Sequence, residues 1–514
     1  MILEAVRMAD ADVNFADYDW TGNGYVDQVY VLFAGHGQAD GSDSNTIWPH
    51  ESSLSNSEVG SSYPSNDYDA NGNRVAVNTY ACGPELLGSA RAGIGTLCHE
   101  FAHCLGYPDM YDTAYGGNLG MSLWDLMDTG SYNGDSFCQK EGYFYTRLQN
   151  PTNDAVAKKI AQLEGGVGAV LTSSGQAANF YAVFNICEAG DHIVTSNEIY
   201  GGTFNLFGVT LKKLGIECTF VNPNASEEEI QKAFRPNTKV VFGETISNPG
   251  CAVLDIEKFA RIAHKNGVPL IVDNTFATPI NCRPFEWGAD IATTKYMDGT
   301  ASQVGGVVVD SGNFDWMANA EKFPGLCTPD ESYHGLTYVK AFGKMGYTTK
   351  LVAQLMRDLG SIPAPMNSFI LNLGLQSLHL RMRQHCENAQ KVAEFLQNDE
   401  RVAWVHYSGL KGDEYYDLAQ KYMPNGTCGV IAFGLKGDRE TAIKFMDSLD
   451  MINIVTHVAD ARTCVLHPAS HTHRQLSDEQ LKEAGVAPDL IRLSVGIEDV
   501  EDILDDIKQA LDKI

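Results

Sequence analysis

The feature that most constrains the fold of this 514-residue chain is an alternation of short apolar runs with amphipathic stretches from Tyr145 onward. The runs include GAVLTS, HIVTS, KVVFGE and PLIVDN, and each is followed by a stretch with helical periodicity. Repeated strand and helix pairs of this kind predict a mainly parallel sheet with helices on both faces. Ligands bind such sheets at the carboxyl ends of the strands, so polar residues at those ends are the candidates for a functional site.

Two groups of polar residues follow predicted strands. Ser174, Gly175 and Gln176 lie between a strand and a helix, where backbone N–H groups and the helix dipole suit a phosphate. Asp273 closes the strand PLIVD. A strand-closing aspartate is often only a helix cap, so Asp273 by itself leaves both interpretations open.

The stretch DIATTKYMDGTASQVGG adds a lysine, Lys295, at the end of a third predicted strand, directly after Thr293 and Thr294. A lone lysine after a strand is ordinarily a surface residue. Together with Asp273, however, Lys295 matches what pyridoxal phosphate needs. Its amine can attach covalently to the cofactor, the acid can keep the pyridine nitrogen protonated, and the hydroxyls can hold the phosphate.

A second motif precedes this region, in the segment RAGIGTLCHEFAHCLGYPDMY. His99 and His103 are one helical turn apart on the same face, with Glu100 between them. Gly106 would end that helix and allow Asp109 to become a third zinc ligand, leaving one coordination position for water. Glu100 would then be the general base. The alternative is a pair of core histidines that share a helix face by chance.

Composition excludes some classes of function. A formal net charge of −28 argues against a nucleic-acid-binding surface, because phosphate contacts need clustered Lys and Arg. No apolar run is long enough to span a bilayer, and the start MILEAVRMADADVNF lacks the pattern of a secretory signal. The 12 cysteines include no CxxC pair, which favours reduced thiols. We therefore expect a cytoplasmic protein with no membrane and no nucleic-acid partner.

The N-terminal segment that contains His99 and His103 resembles a known family. The pattern HExxHxxGxxD followed by WxxMxxG, with Met127 in the second part, is similar to the secreted zinc metallopeptidases of the immune inhibitor A type over about residues 1–135. The resemblance implies a partial zincin-like α+β portion, residues 1–140, with His99, His103 and Asp109 as zinc ligands. The sequence ceases to resemble that family near residues 136–142. In the family, the part that closes the substrate cleft would follow this point. We therefore expect zinc binding without efficient peptide cleavage.

The remainder resembles a different family. The motifs YTRLQNPT, LTSSGQAAN, YGGT, VDNTFATP, TTKYMDG, HPAS and IRLSVGIED occur in this order over about residues 143–514. They are similar to the pyridoxal-phosphate enzymes of cysteine and methionine metabolism, specifically the O-acetylhomoserine sulfhydrylases. The resemblance implies an α/β fold of fold type I, with a cofactor-binding large domain over residues 141–365 and a smaller C-terminal α+β domain over residues 366–514.

This resemblance also implies roles for individual residues. Lys295 would carry the cofactor, Asp273 would pair with the pyridine nitrogen, and Tyr200 would stack on the ring as a catalytic residue. The phosphate would be held by Thr294 and by the loop residues Ser174, Gly175 and Gln176. Arg492 would bind the substrate carboxylate through its planar fork. Tyr145 and Arg147 would reach the phosphate of a neighbouring subunit, which implies a homo-oligomer, a dimer or a tetramer.

The implied reaction is γ-replacement on O-acetyl-L-homoserine with sulfide or a thiol, giving homocysteine or methionine. Two alternatives are a zinc endopeptidase carried by the first portion and a composite chain without activity. One difference from the sulfhydrylase family pattern affects the predicted cofactor site. The segment from Asp290 to Lys295 is about three residues shorter than the family pattern, and Ala292 stands where a phosphate-binding serine is usual. An odd-numbered deletion is expected to move side chains to the other face of the sheet unless a loop absorbs it.

Overall fold

The computed structural model describes residues 1–38, 46–87, 90–92, 94–105, 107, 109, 143, 145–295, 297–472, 474, 481, 486–487 and 489–514. The chain divides into two compact units, Met1–Thr152 and Asn153–Ile514. Gly106, Met127 and the predicted junction near 136–142 lie outside the described residues. The domain boundaries expected from the sequence, after residues 140 and 365, stay predictions.

The first unit is a small α+β arrangement. Its elements are α1 (Ile2–Ala9), β1 (Tyr30–His36), β2 (His50–Ser53), β3 (Tyr63–Tyr68), β4 (Arg74–Val77), β5 (Thr79–Leu87), β6 (Ala90–Arg91) and α2 (Ile94–Cys104). Strand β5 is central, with β1 parallel on one side and β2 antiparallel on the other. Helix α2 lies against β5, so the histidine motif is held over the middle of this sheet.

The second unit contains the alternating elements predicted from the sequence. Its strands are β7 (Gly168–Thr172), β8 (His192–Ser196), β9 (Glu217–Val221), β10 (Thr238–Glu244), β11 (Leu270–Asp273), β12 (Ile291–Thr294), β13 (Gly306–Asp310), β14 (Val402–His406), β15 (Val430–Leu435), β16 (Asn453–Ile454), β17 (Cys464–Leu466) and β18 (Ile491–Ser494). Its helices are α3 (Pro151–Glu164), α4 (Gly175–Phe184), α5 (Gly201–Asn205), α6 (Glu227–Gln231), α7 (Ile256–Lys265), α8 (Thr278–Asn281), α9 (Pro324–Cys327), α10 (Tyr338–Phe342), α11 (Gly346–Lys350), α12 (Arg357–Leu359), α13 (Pro365–Asn398), α14 (Tyr416–Tyr422), α15 (Arg439–Asp447) and α16 (Val500–Leu511).

Seven strands form the central sheet in the order β7-β13-β12-β11-β10-β8-β9. All neighbouring pairs are parallel except those of β13, which runs antiparallel to both β12 and β7. The expectation of a mainly parallel sheet is confirmed. Because β8, β10, β11 and β12 run the same way, the residues that follow them meet at one edge of the sheet.

Both faces of this sheet are buried. On β7 and β13, Val170 and Val308 pack into a large core that includes residues of α4 and α7. Their neighbours Leu171 and Val307 pack into a second core together with residues of α3 and α13. Adjacent residues of a strand point to opposite faces, so this alternation accounts for the nearly continuous apolar character of the strands.

The C-terminal part is a separate sheet of five strands in the order β14-β15-β18-β17-β16. Its pairs are antiparallel except β16 with β17. The 34-residue helix α13 leads into it and packs beside β14 and α16. This arrangement places Arg492 in β18, the middle strand of the sheet. None of the described helices is long and apolar enough to cross a membrane.

Candidate active site

Lys295 and Tyr200 face each other at the carboxyl edge of the central sheet. The Nζ atom of Lys295 lies 4.4 Å from the centroid of the Tyr200 ring. The stem of the lysine passes directly over Gly175, where an added Cβ would stand 2.4 Å from Lys295 Cδ. A Cβ on Gly306 would similarly meet the carbonyl oxygen of Ser174 at 2.4 Å. The two glycines therefore allow the lysine and the Ser174 loop to approach each other closely.

The shortened segment before Lys295 still presents the lysine to this side of the sheet. Thr293 donates its hydroxyl to Asn179 Oδ1 at 2.5 Å, so Thr293 faces helix α4. Ala292 packs into the core on the opposite face. With the alternation of a strand, Lys295 falls on the same side as Thr293, where it lies over Gly175 at the start of α4. The predicted reversal of side-chain direction does not separate Lys295 from the other candidates.

Asp273 is held at the end of β11 by a fixed set of donors. It is buried, and Asn179 donates its Nδ2 to Asp273 Oδ2 at 3.0 Å. The other carboxyl oxygen accepts the backbone N–H of Thr275 at 3.1 Å and also the Thr275 hydroxyl. Together these donors fix the position of both carboxyl oxygens. Asp273 is therefore oriented by its neighbours rather than acting as a simple helix cap.

The predicted phosphate loop has the local geometry of a helix start. Ser174 is the N-cap of α4 and its Oγ accepts the backbone N–H of Ala177 at 3.1 Å. Gln176 Oε1 accepts the hydroxyl of Thr203 at 2.9 Å. Thr294 is buried, and its Oγ1 has no hydrogen-bond partner among the described residues. A buried hydroxyl without a partner is costly unless a ligand completes it.

Arg492 is connected to Tyr200 through two residues. Its Nη1 donates to Asn248 Oδ1 at 3.2 Å, and Nη2 donates to the carbonyl of Thr456 at 2.9 Å. The backbone N–H of Asn248 donates to Glu244 Oε2 at 3.2 Å. Glu244 Oε1 accepts the backbone N–H of Tyr200 at 2.8 Å. One carboxyl group thus fixes the backbone on both sides of the site.

Glu244 is an unusual residue for this position because it is buried near another acid, Asp273. Burial, followed by the nearby charge of Asp273, raises the pKa of Glu244 well above its ordinary value. The backbone N–H groups of Tyr200 and Asn248, with Lys295, oppose that shift. The direction that we infer is upward, so burial favours the protonated form of Glu244.

Three residues of this site were not predicted from the sequence: Asn179, Glu244 and Asn248. A signal existed for Glu244, because it closes the strand KVVFGE just as Asp273 closes PLIVD. Asn179 lies one turn into the helix that begins at Gly175, on the side that faces Asp273. Asn248 has no comparable local signal, since its role depends on Arg492, which is 244 residues away in sequence.

The histidine motif in the first unit forms a compact cluster. His99 Nε2 and His103 Nε2 lie 3.4 Å and 3.3 Å from the same oxygen, Oδ1 of Asp109. Ligand atoms of His99, Glu100 and His103 all lie within 4.8 Å of one another. Burial raises the pKa of Glu100 to about 7. His103 Nδ1 contacts the carbonyl of Tyr107 at 2.8 Å, which leaves Nε2 facing Asp109.

The arrangement in the second unit matches a described protein family. The family model for Cys/Met metabolism PLP-dependent enzymes matches residues 119–512. The chain belongs to this family.

Relatives of this Cys/Met metabolism PLP-dependent enzyme cover most of the chain. A homocysteine/cysteine synthase of Saccharomyces cerevisiae is 42% identical over 387 residues, 73% of this chain and 87% of the relative. An O-acetyl-L-homoserine sulfhydrylase of Corynebacterium glutamicum is 45% identical over 373 residues, 71% of this chain and 85% of the relative. A solved structure from Campylobacter jejuni, named as an O-acetylhomoserine (thiol)-lyase with N'-pyridoxyl-lysine-5'-monophosphate, is 35% identical with a TM-score of 0.70. It covers 79% of this chain and 95% of that one.

The first part of the chain matches a second family model, that of the immune inhibitor A peptidase M6 catalytic domain, over residues 7–157. The two matched ranges overlap over residues 119–157. The resemblance of the first portion to these peptidases, seen in the sequence, is thus found by comparison as well. The match covers less than a third of the chain, and the zinc ligands stay predictions.

The residues of the second unit fit pyridoxal phosphate. The amine of Lys295 lies over the ring of Tyr200. Gly175 leaves space for the lysine side chain that a Cβ at this position would fill. The partnerless hydroxyl of Thr294 supplies an unused donor beside the loop. Asp273 supplies an oriented carboxylate. Each of these features is what the cofactor of this Cys/Met metabolism enzyme requires.

Tyr145 and Arg147 are the candidates that the second unit does not contain, because they lie in the first compact unit. The Arg147 guanidinium carbon is 5.0 Å from the centroid of the Tyr145 ring, and Tyr145 is exposed. Their predicted contact with the phosphate of another subunit stays a prediction.

Proposed function

We propose that this chain is a pyridoxal-phosphate-dependent O-acetylhomoserine sulfhydrylase. It replaces the acetate on the γ-carbon of O-acetyl-L-homoserine with sulfide or a thiol, giving homocysteine or methionine. The observation that carries the proposal is the convergence of Lys295, Tyr200 and Asp273 at one sheet edge. The relatives named as homocysteine synthase and O-acetyl-L-homoserine sulfhydrylase support the choice of substrate.

The residues divide the work of the reaction. Pyridoxal phosphate, when bound, supplies an electron sink that makes the α-proton of an amino acid acidic. Lys295 would hold the cofactor through its amine and, once displaced by substrate, move the α-proton as a general base. Asp273 would keep a proton on the pyridine nitrogen, and Tyr200 would stack on the ring. The start of α4, Ser174, Gly175 and Gln176, would hold the phosphate together with Thr294.

Arg492 would bind the substrate carboxylate. It is buried, and its orientation is fixed by Asn248 and by the carbonyls of Thr456 and His457. A guanidinium held in this way has a fixed position and carries the positive charge that a substrate carboxylate needs. A fixed guanidinium would also orient the substrate, which is a large part of what an active site contributes to rate.

The direct test is an assay of the purified chain loaded with pyridoxal phosphate. We expect homocysteine from O-acetyl-L-homoserine and sulfide, and methionine when methanethiol replaces sulfide. Arg492→Lys is expected to raise KM for the amino acid more than it lowers kcat, because a lysine keeps the charge but loses the fork. The proposal fails if the loaded wild-type chain forms neither product while retaining its cofactor spectrum.

A homo-oligomer, a dimer or a tetramer, is also proposed. Met366, Leu373 and Leu380 recur every seven residues along α13 and are 55%, 49% and 57% exposed. An apolar stripe of this length on a soluble helix favours cover by another chain. Tyr145 and Arg147 would then contribute to the site of a neighbouring subunit.

Light scattering tests the proposed oligomer and should give at least twice the 56.1 kDa chain mass. Leu373→Glu should lower the measured mass. A monomer with full cofactor occupancy would contradict the shared site.

A second candidate function, zinc binding, is favoured by the distances in the histidine motif. Two ligands at the usual Zn–N and Zn–O lengths of about 2.0–2.1 Å in a tetrahedral arrangement stand about 3.3–3.4 Å apart. His99 Nε2 and His103 Nε2 lie 3.4 Å and 3.3 Å from Asp109 Oδ1. We propose that these three residues bind one zinc ion. The site does not cut protein efficiently, because a hydrolytic site also needs a shaped cleft.

Metal analysis separates this candidate from chance neighbours. The purified chain should retain up to one zinc per subunit after dialysis, and a His99→Ala, His103→Ala variant should retain none. His50→Ala, a histidine outside the three ligands, is the matched control. Chelator-sensitive casein cleavage that Glu100→Ala abolishes would show instead that the first unit is an active peptidase.

The cytoplasm is the proposed location. All 11 described cysteines are free thiols, as is usual in a reducing compartment. Cell fractionation followed by thiol labelling of the native protein would test this proposal, and recovery of an oxidised, secreted form would contradict it.

A further inference from the structure

A cavity of about 100 Å³ lies within the second unit, away from the site described above. Its lining brings together three lysines, Lys239, Lys322 and Lys350, with only two carboxylates, Glu188 and Asp191. The whole chain carries 37 basic and 65 acidic residues, so the local excess of positive charge at this cavity contrasts with the net charge of the chain. Such an excess is a feature that requires an explanation.

The three ammonium groups are only partly satisfied by protein atoms. Lys239 donates to the carbonyl of Lys322 and lies 3.6 Å from Asp191 Oδ1. Lys322 donates to the carbonyl of Thr238 at 3.2 Å, and Lys350 donates to the carbonyl of Asn185 at 2.7 Å. Each ammonium has three N–H donors, and these contacts engage one or two of each. Donors therefore remain for a further acceptor.

Burial makes the charged forms of Lys322 and Lys350 less favourable. Lys350 is only 9% exposed, and burial lowers its pKa below the ordinary value. The pKa of Lys322 is lowered by burial and by the neighbouring charge of Lys239. Glu188 and Asp330 compensate part of the charge of Lys350. Asp191 does the same for Lys239. An anion in the cavity would relieve the remaining repulsion.

Asn185 supplies a second, independent observation. It lines the same cavity, it is 1% exposed, and its Oδ1 has no hydrogen-bond partner among the described residues. Its Nδ2 donates to the carbonyl of Tyr347 at 3.0 Å, which fixes the orientation of the amide. A buried amide oxygen without a donor is unfavourable, so this atom needs a ligand that can donate a hydrogen bond.

The size of the cavity narrows the choice of ligand. Sites for drug-sized molecules have volumes of roughly 300 Å³ or more, whereas a single water needs only about 10–15 Å³. About 100 Å³ suits one small polyatomic ion. The lysines require an anion with several acceptor oxygens, and Asn185 requires an O–H. We propose that this cavity binds one oxyanion that retains a proton, of the hydrogen phosphate class.

This anion site is distinct from the cofactor site. Lys239 is the second residue of β10, and Glu244, which contacts Tyr200, is the last. Five residues of strand at about 3.3 Å each separate the two by about 16 Å. Asn185 similarly caps the C-terminal end of α4, while Gly175 begins it at the cofactor loop. The anion therefore binds at the amino ends of the strands, opposite the reacting groups.

The test is calorimetric titration of the chain loaded with pyridoxal phosphate, so that the cofactor loop is already filled. Inorganic phosphate and sulfate are compared near pH 7 with ionic strength held constant by sodium chloride. We expect saturable binding of one phosphate per chain. Sulfate, which carries no proton at this pH to donate to Asn185, should bind at least about tenfold more weakly.

Two variants assign the binding to this cavity. Lys322→Gln removes one charge and should weaken phosphate by about tenfold or more. Gly325→Ala keeps every charge but adds a Cβ 3.4 Å from Lys350 Cε and 3.6 Å from Glu188 Oε1, which takes up space in the cavity. Lys265→Gln, an exposed lysine on α7, is the matched control and should bind phosphate as the wild type does.

Three results would overturn the proposal: no saturable phosphate binding by the wild type, sulfate binding as tightly as phosphate, or both cavity variants binding like the wild type. If Lys322→Gln fails to give a cooperative melt, Gly325→Ala decides alone. Loss of sulfhydrylase activity bears on none of these results, because binding is measured without substrate.

Discussion

The Nζ atom of Lys295 lies 4.4 Å from the centroid of the Tyr200 ring, close enough for the aromatic face to attract the ammonium. The same stem passes over Gly175, so the lysine is held between a ring and a backbone. A lysine held in this way has few other orientations available. The structure therefore keeps the amine of Lys295 beside Tyr200 at the carboxyl edge of the sheet.

Lys295→Ala should abolish the covalent link between protein and cofactor, because no other described lysine stands over Tyr200. Borohydride reduction followed by peptide mass spectrometry should give a pyridoxyl adduct at Lys295 in the wild type and none in the variant. Lys340→Ala, an exposed lysine, should leave the adduct unchanged. A single adduct at a different lysine would show that the assignment is wrong.

Asp273→Ala should leave the cofactor attached but reduce kcat by at least on the order of a hundredfold, because the charge that stabilises the protonated ring is lost. Absorbance and activity should be measured on the same sample. Asp255→Ala, which removes a helix cap on α7 instead, is a control for general loss of stability. Activity near that of the wild type in Asp273→Ala would exclude the proposed pairing with the ring nitrogen.

Glu244→Gln should lower kcat/KM by on the order of tenfold to a hundredfold. The two carboxyl oxygens accept the backbone N–H groups of Tyr200 and Asn248, and in the variant an amide NH2 would face one of these N–H groups. Glu244 acts through Tyr200 and Asn248, so it is a positioning residue. The loss should appear largely in KM for the amino acid, because Asn248 orients Arg492. Glu257→Gln, on the surface, should match the wild type; equal changes in both variants would refute the role.

Glu164→Gln should flatten the pH dependence of stability. Burial raises the pKa of Glu164 from 4.5 to about 8, and Asn274 Nδ2 contacts its carboxyl oxygens at 3.2 Å and 3.3 Å. Between these pH values the folded chain keeps a proton that the unfolded chain has lost. The free energy of unfolding therefore falls as pH rises, by up to about 1.4 kcal/mol per pH unit.

The measurement is the urea midpoint of wild type and Glu164→Gln at pH 5.5 and pH 7.5. The wild type should lose more stability at the higher pH than the variant does. Asp310, whose pKa burial raises to about 7, leaves some slope in both proteins. Parallel midpoints for the two proteins would mean that Glu164 is ionised in the folded chain at both pH values.

Sequence patterns were enough to predict the strands and several of their functional ends. Short apolar runs, each followed by a helical stretch, predicted the parallel sheet, because burial on both faces demands such runs. Asp273 and Lys295 could be recognised since each directly follows an apolar strand, and Ser174 because it precedes a helix. These signals are local: they depend on neighbours within a few residues.

Only the tertiary structure decided which side chains meet. Asn179 and Asp273 are 94 residues apart in sequence, and Asn248 and Arg492 are 244 apart. The first pair exists because α4 packs on β12, the neighbour of β11, and the second because the C-terminal sheet brings Arg492 to Asn248. The order of strands is set by how whole helices and sheets pack, which no local pattern encodes. The face that Lys295 takes after the shortened segment was likewise decided by the pairing of β12 with β11 and β13, since strand pairing fixes which face each residue occupies.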